Sequence, residues 1–268
     1  MAENYDVEEV YEDENSSLWV IVRIKNNLFG FDATIVGNMI ALPKITYVPD
    51  SENHMPGTIT VRGSVIPLVD FRVYTGKISA IQEIEDFCQL MDQRLSDHQN
   101  WIKELKASVN ENKEFKLATD PHKCAFGKWY DSYKSDDRTI NTILAKFDKP
   151  HRIIHGIAEK TTSLVHEDKT DEAHKIIDIT EKNELQQMVH LFNDIKEAVR
   201  EVGRRRIAMI LELNDRKVAL DIDEVIAVED INNIEDAPEN KMSRLGISRI
   251  GRREKNDELV LLMDNFQF

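Results

Sequence analysis

Two histidines stand four residues apart in the stretch HRIIH, His151 and His155. On a helix that spacing projects both rings from one face, where they could grip a single ion. A pair of this kind also arises through chance or ordinary packing, so it needs company. Cys124, one of two cysteines in the chain, lies in HKCAFGKWY, and a buried cysteine commonly serves as a small apolar residue. His98 falls at an inward position of an apolar helical seam, where Leu or Ile is the ordinary choice and where each ring nitrogen needs a partner. Taken together, His98, Cys124, His151 and His155 supply three imidazoles and a thiolate, a closed tetrahedral shell for zinc. The alternative is a set of separate histidines and a core cysteine. His122 is the rival ligand, but it lies two residues from Cys124, a separation that points side chains in different directions on a helix.

A zinc ion held by four protein ligands has no open position for water or substrate, so it is not expected to be hydrolytic. Arg152 stands where a zinc protease places its glutamate base, and the sequence has no phosphate-binding loop, dinucleotide glycine pattern, nucleophile elbow or kinase set. The expectation is a binding or regulatory module rather than an enzyme. A zinc-bound thiolate stays electron-rich, so oxidation of Cys124 to sulfenic acid, or loss of the metal, is expected to rearrange the helices around it.

The elements that must position these groups follow from periodicity. Ile81, Ile84, Cys88, Met91, Leu95, His98, Ile102 and Leu105 step by three and four residues, as do Leu185, Met188, Phe192, Ile195, Val199 and Val202. Between them, Asp148 with Pro150 reads as a helix cap and first turn, and Thr170 with Asp171 and Glu172 as another helix start. An antiparallel bundle whose first and last helices are neighbours can interrupt a β domain without distorting it. On either side the texture is β. SLWVIVRIKNNLFGFDAT predicts strands around a turn at Asn26 and Asn27, and MPGTITVRGSVIPLVDFRVY predicts short strands broken at Gly57, Gly63 and Pro67. VRIKNNLFGFDATIVGNMIALPKI can be laid against ILELNDRKVALDIDEVIAVEDI, an approximate repeat that fits two related small barrels. The predicted boundaries are an acidic tail at 1–16, β parts at 17–79 and 203–268, and a helical insert at 80–202.

DHQNW, CAFGKWY and HRIIH, in that order, resemble the chemoreceptor zinc-binding domain, a helical bundle that holds zinc on three histidines and one cysteine. The similarity spans about residues 80–200, and it implies the ligand positions for His98, Cys124, His151 and His155. One departure is visible: Trp101 follows His98 after two residues, where the family pattern has an aromatic after one. Phe126 and Trp129 read as core residues that exclude water from the thiolate.

The flanks resemble a second family, the CheW-like domain. Gly57, Arg62-Gly63, Ile66-Pro67 and Asp70-Phe71-Arg72 follow its order, and Ile222-Asp223 stands in place of its Val-Asp. The resemblance implies an α+β protein, a CheW-like double small β-barrel split by a zinc-binding antiparallel helical bundle. It implies a chemotaxis adaptor that couples chemoreceptor cytoplasmic tips to the histidine kinase CheA, with zinc as cofactor and sensing of zinc or of an oxidant such as hypochlorous acid. The alternative is a constitutive scaffold in which zinc is purely structural. Arg62 and Gly63 are the candidate partner contact, with a solvated turn as the other reading, while Asp70 and Arg72 read as ties within the barrel. A homodimer through the helical insert is compatible with this reading.

The bulk numbers agree. A net charge of -14, from 35 Lys and Arg against 49 Asp and Glu, argues against nucleic acid or an anionic membrane as main partner. The opening MAENYDVEEVYEDEN carries seven acidic residues and no Lys or Arg, the composition of a disordered tail. No signal peptide or membrane-spanning run is visible, so a cytoplasmic location, at membrane-anchored chemoreceptor arrays, is expected.

Overall fold

The computed structural model describes residues 18–213, 216–238 and 244–264; the expected acidic tail lies outside them. The chain divides into two compact units, the helical Ala80–Arg204 and a β unit made from the residues on both sides of it.

The β unit begins with β1 (Trp19–Ile24), β2 (Asn27–Asp32), β3 (Val36–Ala41), β4 (Thr46–Tyr47), β5 (Gly57–Val61) and β6 (Ser64–Asp70), followed by a one-turn helix α1 (Phe71–Tyr74). After the insert come β7 (Ile207–Leu213), β8 (Arg216–Ile222), β9 (Glu224–Glu229), β10 (Ile231–Asp236), β11 (Ile247–Arg253) and β12 (Leu259–Met263). They pair in two sheets of six, in the orders β10-β11-β12-β2-β1-β9 and β4-β5-β6-β8-β7-β3. The second order is the first with every strand exchanged for its counterpart six places along the chain. Even the single parallel pairing recurs at the same place, β12 with β2 and β6 with β8.

The repeat read from the sequence is therefore real at the level of strands, but its two copies are interleaved. The hairpins β1-β2 and β7-β8 stay local, while β3 pairs with β7 and β9 with β1. Each sheet thus takes two strands from one side of the insert and four from the other. Among the described residues the end strands of each sheet are not paired with each other, so the expected small barrels are two open sheets. In each sheet the two strands from the other side of the insert are a hairpin, β1-β2 in one and β7-β8 in the other.

Both faces of the central strands β1 and β7 are covered. Val20, Val22, Phe29 and Phe31 share a core with Met209, Leu211, Leu220 and Ile222 of the other sheet. The alternate residues pack elsewhere, Trp19, Ile21 and Leu262 in one cluster, Ala208, Ile210 and Leu68 in another. That double burial explains the continuous apolar runs WVIV and AMIL, where a sheet wet on one face would alternate. The first hairpin turn falls one residue early, on Lys25-Asn26, with Lys25 at φ 54° and Asn27 already opening β2. Asp70 caps α1 by accepting from Val73 N at 3.1 Å, and Arg72 reaches Asp223 at 2.6 Å. These two residues act as ties within the β unit.

The insert contains α2 (Ala80–Asn110), α3 (Ala125–Ser132), α4 (Arg138–Ala145), α5 (Asp148–His166), α6 (Thr170–Thr180) and α7 (Gln186–Gly203), the last two joined through a π-turn at Glu181–Leu185. The first and last helices are neighbours: Lys196 of α7 meets Asp92 of α2 at 2.5 Å, and a Cβ on Gly203 would lie 2.1 Å from Ile84. The seam residues Met91, Ile102, Leu105, Met188, Phe192 and Ile195 are buried in one apolar core. Asp148 is not the cap of α5. Phe147 is already helical before it, so Asp148 sits in the first turn, where it favours the helix N-terminus and pairs with Arg152 at 2.7 Å.

Candidate metal centre

Three helices bring the four residues together. His98 lies midway along α2, on the buried stripe with Met91, Ile102 and Leu105. His151 and His155 are one turn apart on α5, with ring centroids 4.8 Å from each other and 5.1 and 5.7 Å from His98. Cys124 is the N-cap of α3, where a residue must leave the helical region; its φ of -71° and ψ of 163° turn the sulfur back to accept from Gly127 N at 3.1 Å. One donor atom from each of His98, Cys124, His151 and His155 lies within 4.8 Å of every other.

The hydrogen bonds decide which nitrogens face inward. His98 Nδ1 lies 2.7 Å from the Arg94 carbonyl, and His155 Nδ1 lies 3.0 Å from the Ala118 carbonyl. A carbonyl only accepts, so each Nδ1 carries the proton and each Nε2 is left with a lone pair. Those two Nε2 atoms are buried and have no partner. The third, His151 Nε2, lies 3.2 Å from the Cys124 sulfur. Buried polar atoms without partners are costly, and here they converge on one point.

Protonation agrees with ligation. Burial holds the His98 imidazole below its ordinary range. Burial and then the neighbouring histidines push His151 down to about 3, and burial and His98 push His155 down to about 4. All three are neutral at pH 7 and their lone pairs are available. The Cys124 thiol moves the other way: burial raises it, and the amides of Gly127 and Phe126 only partly offset this. As a thiol it can donate to the Pro121 carbonyl at 3.3 Å. Nearby protein groups do not by themselves make it a thiolate, and a divalent cation among these ligands would.

The donor set fits zinc. Ligand distances of about 2.0–2.3 Å give a tetrahedron with edges of about 3.3–3.6 Å, and the widest separation of 4.8 Å exceeds that by roughly an ångström. Small side-chain rotations span the difference. The surrounding wall is aromatic: Phe126 lies edge-on to His98 at 5.6 Å and His151 at 4.9 Å, and Trp101 edge-on to His155 at 5.0 Å. Trp129 stands behind this wall, 5.7 Å from Phe126, and packs also against Phe87 and Tyr133. A Cβ on Gly127 would lie 1.9 Å from the Pro121 carbonyl oxygen, so the backbone of the segment before α3 passes close to this glycine.

His122 is exposed and faces Asp131 at 2.9 Å, away from the cluster. Arg62 and Gly63 lie in the β unit, at the exposed two-residue turn between β5 and β6, with φ of 50° and 85°. Both positive values make this a primed hairpin turn, for which Gly63 is suited and Arg62 is not. Two participants were not expected from motifs, the carbonyls of Arg94 and Ala118. Backbone acceptors leave no mark on residue type.

The family model of the CheW-like domain matches residues 18–89, and that of the chemoreceptor zinc-binding domain matches residues 98–161. The chain carries both domains. The CheW-like match covers every strand before the insert and the start of α2, and the zinc-binding match opens on His98 and contains all four clustered residues. Comparison with curated proteins finds no match. Among solved structures, the scaffolding protein TtCheW from Thermoanaerobacter tengcongensis aligns over 94% of this chain and 90% of its own, at 11% identity and a TM-score of 0.43. No helix among the described residues is long and apolar enough to cross a membrane.

Proposed function

We propose that the protein is a cytoplasmic, non-enzymatic chemotaxis adaptor that couples chemoreceptor tips to the histidine kinase CheA, and that His98, Cys124, His151 and His155 hold zinc in its insert. The observation that carries this reading is the convergence of four donor atoms within 4.8 Å, two of them buried imidazole nitrogens with no other partner. The CheW-like match supports the adaptor part, and the exposed Arg62-Gly63 turn is the contact we propose for it. Zinc would supply the charge that keeps Cys124 a thiolate and the four bonds that tie α2, α3 and α5. Hypochlorous acid would oxidise that thiolate to sulfenic acid with release of chloride, removing one tie.

The test is binding of the full chain to CheA, measured with zinc, after chelation, and after mild hypochlorous acid. A sensor changes its affinity in the second and third conditions. Equal affinity in all three assigns zinc a purely structural role and leaves a constitutive scaffold. Arg62→Ala is expected to weaken binding in every condition. A homodimer through the insert belongs to the same proposal and predicts twice the chain mass in light scattering.

A further inference from the structure

We propose that Trp101 is a positioning residue for the metal site, acting on His155 through the carbonyl of Ala118. This rests on the zinc reading above.

The observation is a shared acceptor. The Trp101 indole Nε1–H donates to the Ala118 carbonyl at 2.8 Å, and His155 Nδ1 donates to the same oxygen at 3.0 Å. A carbonyl oxygen has two lone pairs, and both are taken. Ala118 belongs to the segment between α2 and α3, residues 111–124, which contains no helix or strand. A connection of that length with no regular structure has no backbone ladder to fix its carbonyls. Side chains from the helices do so instead. Phe115 stacks edge-on against Trp101 at 4.9 Å, so one tryptophan holds the segment by its ring and by its N–H.

The consequence reaches the metal side of His155. With Nδ1–H committed to Ala118, the ring presents Nε2 as a lone pair, and its rotation about χ2 is set by where that carbonyl stands. Trp101 is buried at 4% exposure and its ring also lies 5.0 Å from His155, so both restraints on this ligand come from one residue. Phenylalanine would fill most of the space and leave one lone pair of Ala118 unused, freeing the carbonyl to swing.

The experiment uses the full chain. Zinc affinity is measured at pH 7 by competition with a chromogenic chelator, and the His155 tautomer is read from ¹⁵N shifts of the metal-free chain. Trp101→Phe is expected to lower affinity by up to about 10-fold, the low end of the 10–100-fold that loss of a ligand's own outer partner costs, because the Ala118 carbonyl itself remains. The tautomer should shift from Nδ1–H toward a mixture. Trp129→Phe removes a similar volume from the same core without touching Ala118, and should change neither. Should Trp101→Phe fail to fold, benzothienylalanine at position 101 keeps the bicyclic shape and lacks the N–H, and the same losses are expected. Unchanged affinity and tautomer in a folded variant overturn the proposal and leave the zinc site standing. A wild-type chain that takes up no zinc overturns the reading beneath it.

Discussion

In the β unit, Arg206 sends its Nε to Asp221 at 2.8 Å, Arg72 reaches Asp223 at 2.6 Å, and Arg253 meets Glu229 at 2.5 Å. In the insert, the Nε2 atoms of His98 and His155 are buried and meet nothing. The two regions bury polar groups to opposite ends. The arginine pairs satisfy each other and fix strands: Arg72 follows β6, Arg206 precedes β7, and both bind residues at the end of β8. The imidazoles remain unsatisfied by protein and aim at a common point, which is what a ligand-binding group must do. Lack of a partner does not by itself mark a site, since Arg94 Nε is also buried without one; what marks this cluster is that its donor atoms converge.

The comparison can be broken most forcefully at the ligands. Cys124→Ala or His155→Ala is expected to lower zinc affinity by more than the ~100-fold that an outer partner costs, and to destabilise the insert. Metal analysis and thermal denaturation check both effects. His122→Ala should leave the zinc content unchanged.

The β unit should respond in the reverse sense. Arg206→Ala strands Asp221, which is 3% exposed, and breaking a buried pair costs about 3–5 kcal/mol. Chemical denaturation should show that loss while zinc content holds. If Arg206→Ala also empties the site, the two regions are not separable.

A smaller effect is expected at the cap. Gly127→Ala places a methyl against the Pro121 backbone, which must shift, at a cost of about 1–3 kcal/mol. Because that backbone leads into Cys124, zinc affinity should fall with it, whereas Gly156→Ala, with nothing near its Cβ, should change neither.

A further test concerns pH in the metal-stripped chain. His151 and His155 have folded values of about 3 and 4, below the ~6.5 of an unfolded histidine, so the unfolded state binds more protons between those limits. Their contribution to stability is fully present above about pH 6.5 and is lost as pH falls toward 4. Melting temperatures between pH 7 and 5 should fall for the wild type, and less for His151→Gln.

Much of the insert was legible because its order is local. A polar residue on an apolar seam marked His98, and a four-residue step marked the α5 pair. The seam failed at Ile81, which is 37% exposed. Seventeen residues from His98 at about 100° each carry it about 100° around the helix, a drift that steps of three and four hide. The sheets were less legible. Strand texture and the repeat could be read, but the pairing of β3 with β7 and of β9 with β1 crosses the insert, which residue types along one strand do not encode. The Ala118 carbonyl was invisible for the related reason that any residue could supply it.

The central claim is that these four side chains bind one zinc ion, and X-ray absorption at the zinc edge of the purified full chain tests it most directly. The account predicts one zinc per chain with three nitrogens at about 2.0–2.1 Å and one sulfur at about 2.3 Å. A chain free of zinc at neutral pH under reducing conditions, or a shell without sulfur, would contradict it.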